Sequence, residues 1–168
     1  MSLTKNGEHM KIRMAFLLVL VSVSAAYAGN PAARAPFTIE ISTEQPVVKI
    51  GSEVSLKVRL TNTSKRVMDC SATISNMTGV DPNYVFDVRD DANNSVPPRV
   101  LEHPELATGQ PVSRSLKPGE SFTDEEEVSR LLNMSRPGRY TIQVSRRVSD
   151  NKKDGSITSN AITVTVEP

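Results

Sequence analysis

Residues 131–144 read Leu-Leu-Asn-Met-Ser-Arg-Pro-Gly-Arg-Tyr-Thr-Ile-Gln-Val, two apolar leucines leading through a Pro-Gly corner into an alternating stretch. Pro137 fixes its own φ, and Gly138 takes backbone angles that other residues avoid, so the pair marks a sharp change of direction. Beyond the corner Tyr140, Ile142 and Val144 fall on one face at period two, with Thr141 and Gln143 on the other. That pattern predicts a half-buried strand whose first buried side chain is a tyrosine.

The same period recurs along the chain. Phe37, Ile39 and Ile41 alternate with Thr38, Glu40 and Ser42, and Val54, Leu56, Val58 and Leu60 alternate with Ser55, Lys57, Arg59 and Thr61. Met68, Cys70, Ala72 and Ile74 predict one further strand, Tyr84, Phe86 and Val88 another, and Ile162, Val164 and Val166 the last. Helical spacing appears once, where Val128, Leu131 and Leu132 follow Thr123 and Glu126, a capping-box pair that predicts a turn or two of helix before the penultimate strand. The Asp124–Glu127 run suits the positive end of such a helix and reads as a solvated acidic face. Short amphipathic strands with almost no helix predict an all-β chain folded as a two-sheet antiparallel sandwich.

Details of the sequence resemble the immunoglobulin-like family. Gly51-Ser-Glu-Val-Ser-Leu-Lys-Val58 is similar to the second strand of that family with Val58 in a cysteine position, and Tyr140-Thr-Ile142 is similar to its Tyr-x-Cys with Ile142 in the other. The resemblance implies an apolar pair in place of the inter-sheet disulfide and a buried Tyr140 whose hydroxyl bonds to nearby backbone. From Leu116-Lys-Pro-Gly-Glu-Ser121 onward the chain resembles the C-terminal half of non-catalytic Ig-like domains of secreted bacterial proteins, and more loosely the intracellular proteinase inhibitor family. These are corner and turn residues and imply a fold; no inhibitory residue carries over.

The N-terminal stretch gives an address. Lys11 and Arg13 precede the apolar run Met14–Val23, and Ala26-Tyr27-Ala28 forms an A-x-A cleavage pattern, so residues 1–28 are expected to be a cleaved secretory signal peptide. The apolar run is about half the roughly 20 residues that span a bilayer. The expected mature chain is a short linker, 29–36, and one domain, 37–168, secreted or periplasmic. The full sequence holds 20 basic and 19 acidic residues, and loss of Lys5, Lys11, Arg13 and Glu8 with the leader leaves 17 and 18. Near-neutrality argues against a nucleic-acid or membrane binder that works by bulk charge. Cys70 is the one cysteine, on the apolar face of its strand, where a buried small hydrophobe is expected and an intramolecular disulfide is impossible.

Little chemistry is available to this chain. After the leader the sole histidine is His103, in Glu102-His-Pro-Glu105, so paired-histidine metal sites are excluded and a serine or cysteine nucleophile would depend on that one loop residue. Phosphate-binding and dinucleotide glycine loops are absent from the sequence. Asp87-Val-Arg-Asp-Asp-Ala-Asn-Asn-Ser95 has oxygens for calcium but not the EF-hand order, and reads as a hairpin turn after Val88. No enzyme activity, metal or cofactor is expected.

The stretch from Asp90 to Pro118 is long for an inter-strand loop and contains five prolines, which fits either a recognition loop or a meandering edge strand. Arg99, Leu101, His103 and Leu106 are its candidate binding residues. The expected function is an exported binding module for another extracytoplasmic protein, with a protease inhibitor presenting 90–118 and a structural envelope subunit as alternatives.

Overall fold

The protein is described by a computed structural model covering residues 35–101, 104–148 and 155–168, all within one compact unit, Ala33–Pro168. The expected signal peptide, most of the linker and His103 lie outside the described residues. The fold is all-β. Two larger sheets carry the core, and two short ribbons flank them.

The first sheet is antiparallel. Strand β1 (Phe37–Ser42) pairs with β3 (Ser55–Asn62), which pairs with β9 (Ser121–Glu127). Every second residue of β1 and β3, from Phe37 to Ile41 and from Leu56 to Leu60, is buried, as the period-two pattern predicts. The second sheet is built around the long β10 (Gly138–Arg147). One edge of β10 pairs with β6 (Tyr84–Arg89), the other with β12 (Ile162–Glu167) and then the short β11 (Ser156–Thr158). On its far side β12 pairs in parallel with β2 (Val47–Lys49), a departure from the all-antiparallel expectation. The buried faces of both sheets join in one hydrophobic cluster that includes Val58, Leu60, Cys70, Tyr140, Ile142, Val144 and Val164. Val58 and Ile142 are completely buried within it.

The corner at residues 136–140 is held by Tyr140 from within and by Asp91 from the turn after β6. Gly138 has φ +150°, a value side-chain-bearing residues rarely adopt, and an added Cβ would stand 3.3 Å from the Asp91 carboxylate. That carboxylate accepts the Arg139 N–H at 3.0 Å. Tyr140 is buried, and its hydroxyl donates to the Arg136 carbonyl at 2.8 Å.

Four further sequence-based expectations need correction. The strand expected over Met68–Ile74 is two strands, β4 (Met68–Asp69) and β5 (Ala72–Ser75). Between them the Asp69 carboxylate takes the Ser71 N–H (2.9 Å) and hydroxyl (2.6 Å), a local bond that competes with the ladder. Their partners come from the long loop: β7 (Gly109–Val112) pairs with β5, and β8 (Ser115–Leu116) with β4. Residues 109–116 are thus edge strands. Thr123 and Glu126 form no capping box, because both lie in β9; the helix α1 is the single turn Val128–Leu131, with extended Glu127 before it and no side-chain cap.

That turn also precedes the third strand from the end. The final stretch breaks at Ser159–Ala161, where the Ser159 hydroxyl accepts the Val144 N–H at 3.0 Å in place of a backbone carbonyl. The fourth correction concerns the acidic run. Asp124 and Glu126 stand opposite Val58 and Leu56 across the β3–β9 ladder, on the inward face, and Glu126 is 2% exposed. The solvated acidic face is Glu125 alone, with Glu127 half-buried.

Candidate functional site

Pro97 and Pro98 have no N–H to offer a ladder, so this part of the loop is held by the groups that remain. The Pro97 carbonyl accepts the Asn133 N–H at 2.9 Å, and the Arg99 N–H donates to the Leu131 carbonyl at 2.7 Å, closing a bridge between Pro98 and Leu132. The Arg99 guanidinium reaches the Ser129 carbonyl at 3.3 Å. α1 is tied in turn to the start of β3: Val128 N–H donates to the Val54 carbonyl at 2.9 Å, and Val54 N–H donates to the Ser129 hydroxyl at 3.0 Å.

These bonds frame an open cleft of about 600 Å³ between the Gly51–Glu53 turn, Pro98–Val100 and the stretch from Glu127 to Ser135. Arg130 spans it, 2.6 Å from Glu127 and 3.7 Å from Glu53. Val100 stands at its edge, 90% exposed. Its polar groups are engaged with one another, Arg99 with the Ser129 carbonyl, Arg130 with Glu127 and Glu53, and the Ser129 hydroxyl with the Val54 N–H, and the exposed Val100 stands beside them.

Of the expected binding residues, Arg99 lines this cleft. Leu101 is half-buried and Leu106, 63% exposed, sits on the 3₁₀ turn Pro104–Leu106; neither lines the cleft with Arg99. Val100 was not among the expected residues, although an apolar side chain directly after Arg99 in a proline-held loop is its sequence signal. Within the Asp87–Ser95 stretch β6 runs on to Arg89 and a turn follows, as expected: the Asp90 carboxylate accepts the N–H groups of Ala92 (3.0 Å) and Asn94 (2.8 Å), and Asn93 has φ +62°. No cluster suited to a metal occurs among the described residues.

A second group of polar side chains lies inside the molecule. Inward alternation on β9 runs Phe122, Asp124, Glu126, and on β10 Ile142, Val144, Arg146, so the core turns polar at one end. Arg146 donates to the Asp81 carboxylate at 3.2 Å and lies 5.3 Å from the centre of the Tyr84 ring. Arg114 is paired with Asp124 and lies 4.8 Å from the centre of the Phe122 ring. Glu126 accepts the Asp81 N–H at 3.3 Å. Burial, reinforced by the Asp124 charge, pushes the Glu126 carboxyl up to about 8, and burial also raises the Tyr84 hydroxyl and the Cys70 thiol. The sequence signal was Phe122 and Val128, apolar residues of the same parity on either side of the acids.

No family model matches this chain, and no curated protein matches it. Among solved structures it is similar to a β-glucosidase from Listeria innocua (15% identity, TM-score 0.44), spanning 79% of this chain and 16% of that one. It is also similar to the alkylpurine DNA glycosylase AlkC of Pseudomonas fluorescens (13% identity, TM-score 0.41, 80% of this chain and 31% of that one). A third likeness is to the sporulation control protein Spo0M of Bacillus subtilis (13% identity, TM-score 0.40, 79% and 50%). The chain spans half or less of the length of each.

Proposed function

We propose that this chain is an exported, non-catalytic binding module with an immunoglobulin-like sandwich fold, and that it holds a segment of another extracytoplasmic protein in the Arg99–Arg130 cleft. Support for the fold comes from strand pairing: the N-terminal stretch divides between two sheets, β1 joining β3 and β2 joining β12 in parallel. Val58 and Ile142 are buried at the positions where the family has cysteines, and the Tyr140 hydroxyl bonds to backbone four residues upstream. Support for the address is the leader-like sequence of residues 1–28.

The observation that carries the binding reading is Val100. Val100, 90% exposed, follows an arginine whose main chain is anchored, so a partner would bury it without first having to order the loop. The test is affinity capture from envelope and culture-supernatant extracts with the mature chain and with Arg99→Ala/Val100→Ser. A partner retained by the former and lost by the latter is expected; equal capture by both moves the site off the cleft, and capture by neither removes the binding reading in favour of a structural subunit.

The same ordered loop favours one rival, a protease inhibitor that presents residues 97–101 to an active site. Stoichiometric suppression of any member of a protease panel, abolished by Val100→Ser, would select it.

A further inference from the structure

A strand at the border of a sheet carries unpaired main-chain groups that another strand can take up, and folds close such borders with local devices. The borders at β1 and β6 are closed in this way. On β1 the Ile41 N–H donates to the Asn160 side-chain oxygen at 2.9 Å, and the Asn160 amide donates to the Ile41 carbonyl at 3.0 Å. On β6 the Val88 carbonyl accepts the Val96 N–H at 2.9 Å, and the Tyr84 N–H donates to the Asp81 carbonyl at 3.1 Å. The border at β9, the last strand of the order β1-β3-β9, is different. The Asn62 N–H donates to the Glu120 carbonyl and the Val128 N–H to the Val54 carbonyl, so in the β3–β9 register the even-numbered residues of β9 bond to β3. The N–H and carbonyl groups of Ser121, Thr123 and Glu125 therefore point away from β3, and among the described residues none of them has a hydrogen-bond partner.

These free groups are self-complementary. With a two-fold axis through Thr123, the Thr123 N–H of each copy meets the Thr123 carbonyl of the other, and Ser121 of each exchanges both its bonds with Glu125 of the other. We propose that β9 is a docking edge for a second copy of this chain, which adds its own β9 antiparallel in that register and joins the two β1-β3-β9 sheets into one. Charge and strand length select the register. Around Thr123 the side chains set against each other are Thr123 with Thr123, Ser121 with Glu125 and Phe122 with Asp124, and no like charges are opposed. An axis through Glu125 would oppose two glutamates, and one through Ser121 would set Thr123 and Glu125 against Gly119 and Lys117, which lie outside the strand. Thr123 and Glu125 are both exposed, so the threonine pair and the Ser121–Glu125 pairs form on the solvent face of the joined sheet.

One short strand pair makes a small interface, so the expected association is reversible and depends on concentration. Sedimentation equilibrium of the mature chain, from micromolar to millimolar concentration, is expected to show the mass rising from that of one chain to that of two. Thr123→Pro removes an N–H at the centre of the pairing that β3 does not use, and should hold the mass at one chain. Thr123→Lys opposes two cations across the axis and should raise the dissociation constant about tenfold or more, a loss that added salt reduces. Thr123→Cys brings two thiols together on Cα atoms about 5.5 Å apart, within disulfide reach, so oxidation should cross-link the copies. Glu125→Cys faces the partner's Ser121 instead and should cross-link far more slowly, and the native Cys70 is buried in both variants' parent fold. A mass of one chain throughout, a dimer that Thr123→Lys leaves unchanged, or equal cross-linking rates through positions 123 and 125 overturns the proposal. Should Thr123→Pro not fold, Thr123→Lys and the two cysteine variants, all changes at exposed side chains, decide.

Discussion

The apolar and polar ends of the interior adjoin one another and are held by different forces. At the apolar end β3 and β10 contribute Val58, Leu60, Ile142 and Val144, all completely buried and apolar. At the polar end Asp124 and Glu126 on β9 stand directly across the ladder from Val58 and Leu56, and Arg146 continues the inward alternation of β10. The apolar end is stabilised by removal of area from water and is indifferent to the charge state of its surroundings. The polar end is stable only while each charge keeps its partner, so there a single deletion does more than remove one contact.

The largest expected effect is therefore at the polar end. Arg146→Ala leaves Asp81 buried with its charge uncompensated, and the loss in urea-denaturation stability is expected at roughly 3–5 kcal/mol. Arg146→Met combined with Asp81→Asn removes both charges and should recover much of that loss. A double variant as unstable as Arg146→Ala would mean that packing of the arginine stem, not the ion pair, governs this end. The matching change at the apolar end, Ile142→Ala, is expected to cost about 3 kcal/mol through lost burial and an unfilled cavity, equally at pH 5 and pH 8. A clear pH dependence there would show that the two ends do not act independently.

Much of this contrast was legible in the sequence and part of it was not, for a physical reason. Period-two alternation located β1, β3, β6, β10 and β12, placed Cys70 inside, and put Tyr140, Ile142 and Val144 on the buried face. Those are local properties. Strand β2 escaped because it is three residues long and exists through parallel pairing with Thr165–Glu167, far along the chain. The Asp124–Glu127 run looked solvated because its composition is acidic; its inward register follows from Val58 and Leu56 across the ladder, and its charges are tolerated because of Arg114, Arg146 and the Asp81 N–H. The broken strand at Cys70-Ser71 turned on two bonds that the Asp69 carboxylate accepts from Ser71. In the candidate cleft, Arg99 was legible and its bonds to Ser129 and Leu131 were not, since they join segments about thirty residues apart.

A smaller and more diagnostic effect is the dependence on pH. The Glu126 carboxyl is raised in the folded chain, from an ordinary 4.5 to about 8, so folding retains a proton that the unfolded chain releases. The stability this gives is fully present below about pH 4.5, declines as pH rises, and is gone once pH passes about 8. Urea midpoints at pH 5 and pH 8 are expected to differ by on the order of 2 kcal/mol in favour of pH 5, and Glu126→Gln should flatten the profile. Because the glutamine amide keeps an acceptor for the Asp81 N–H, a variant that retains the full slope would assign the pH dependence to another group.

The smallest effect belongs to the corner that opens β10, which combines both forces in one side chain. The Tyr140 ring is buried with the apolar end, while its hydroxyl spends its proton on the Arg136 carbonyl at 2.8 Å. Tyr140→Phe keeps the ring and deletes only that bond, so the expected loss is about 1 kcal/mol, the net worth of a neutral hydrogen bond. Tyr140→Leu also changes the shape of the packed group and should lose more. If Tyr140→Phe were as stable as the native chain, the Arg136 carbonyl would be adequately solvated without the hydroxyl, and the corner would be held by Pro137, Gly138 and the Asp91–Arg139 bond instead. If it lost several kcal/mol, the hydroxyl would be acting as a tether for the whole Arg136–Gly138 turn. Hydrogen exchange at Arg139, whose N–H bonds to Asp91 across the same corner, separates the two, since a tether lost at Tyr140 would free that amide as well.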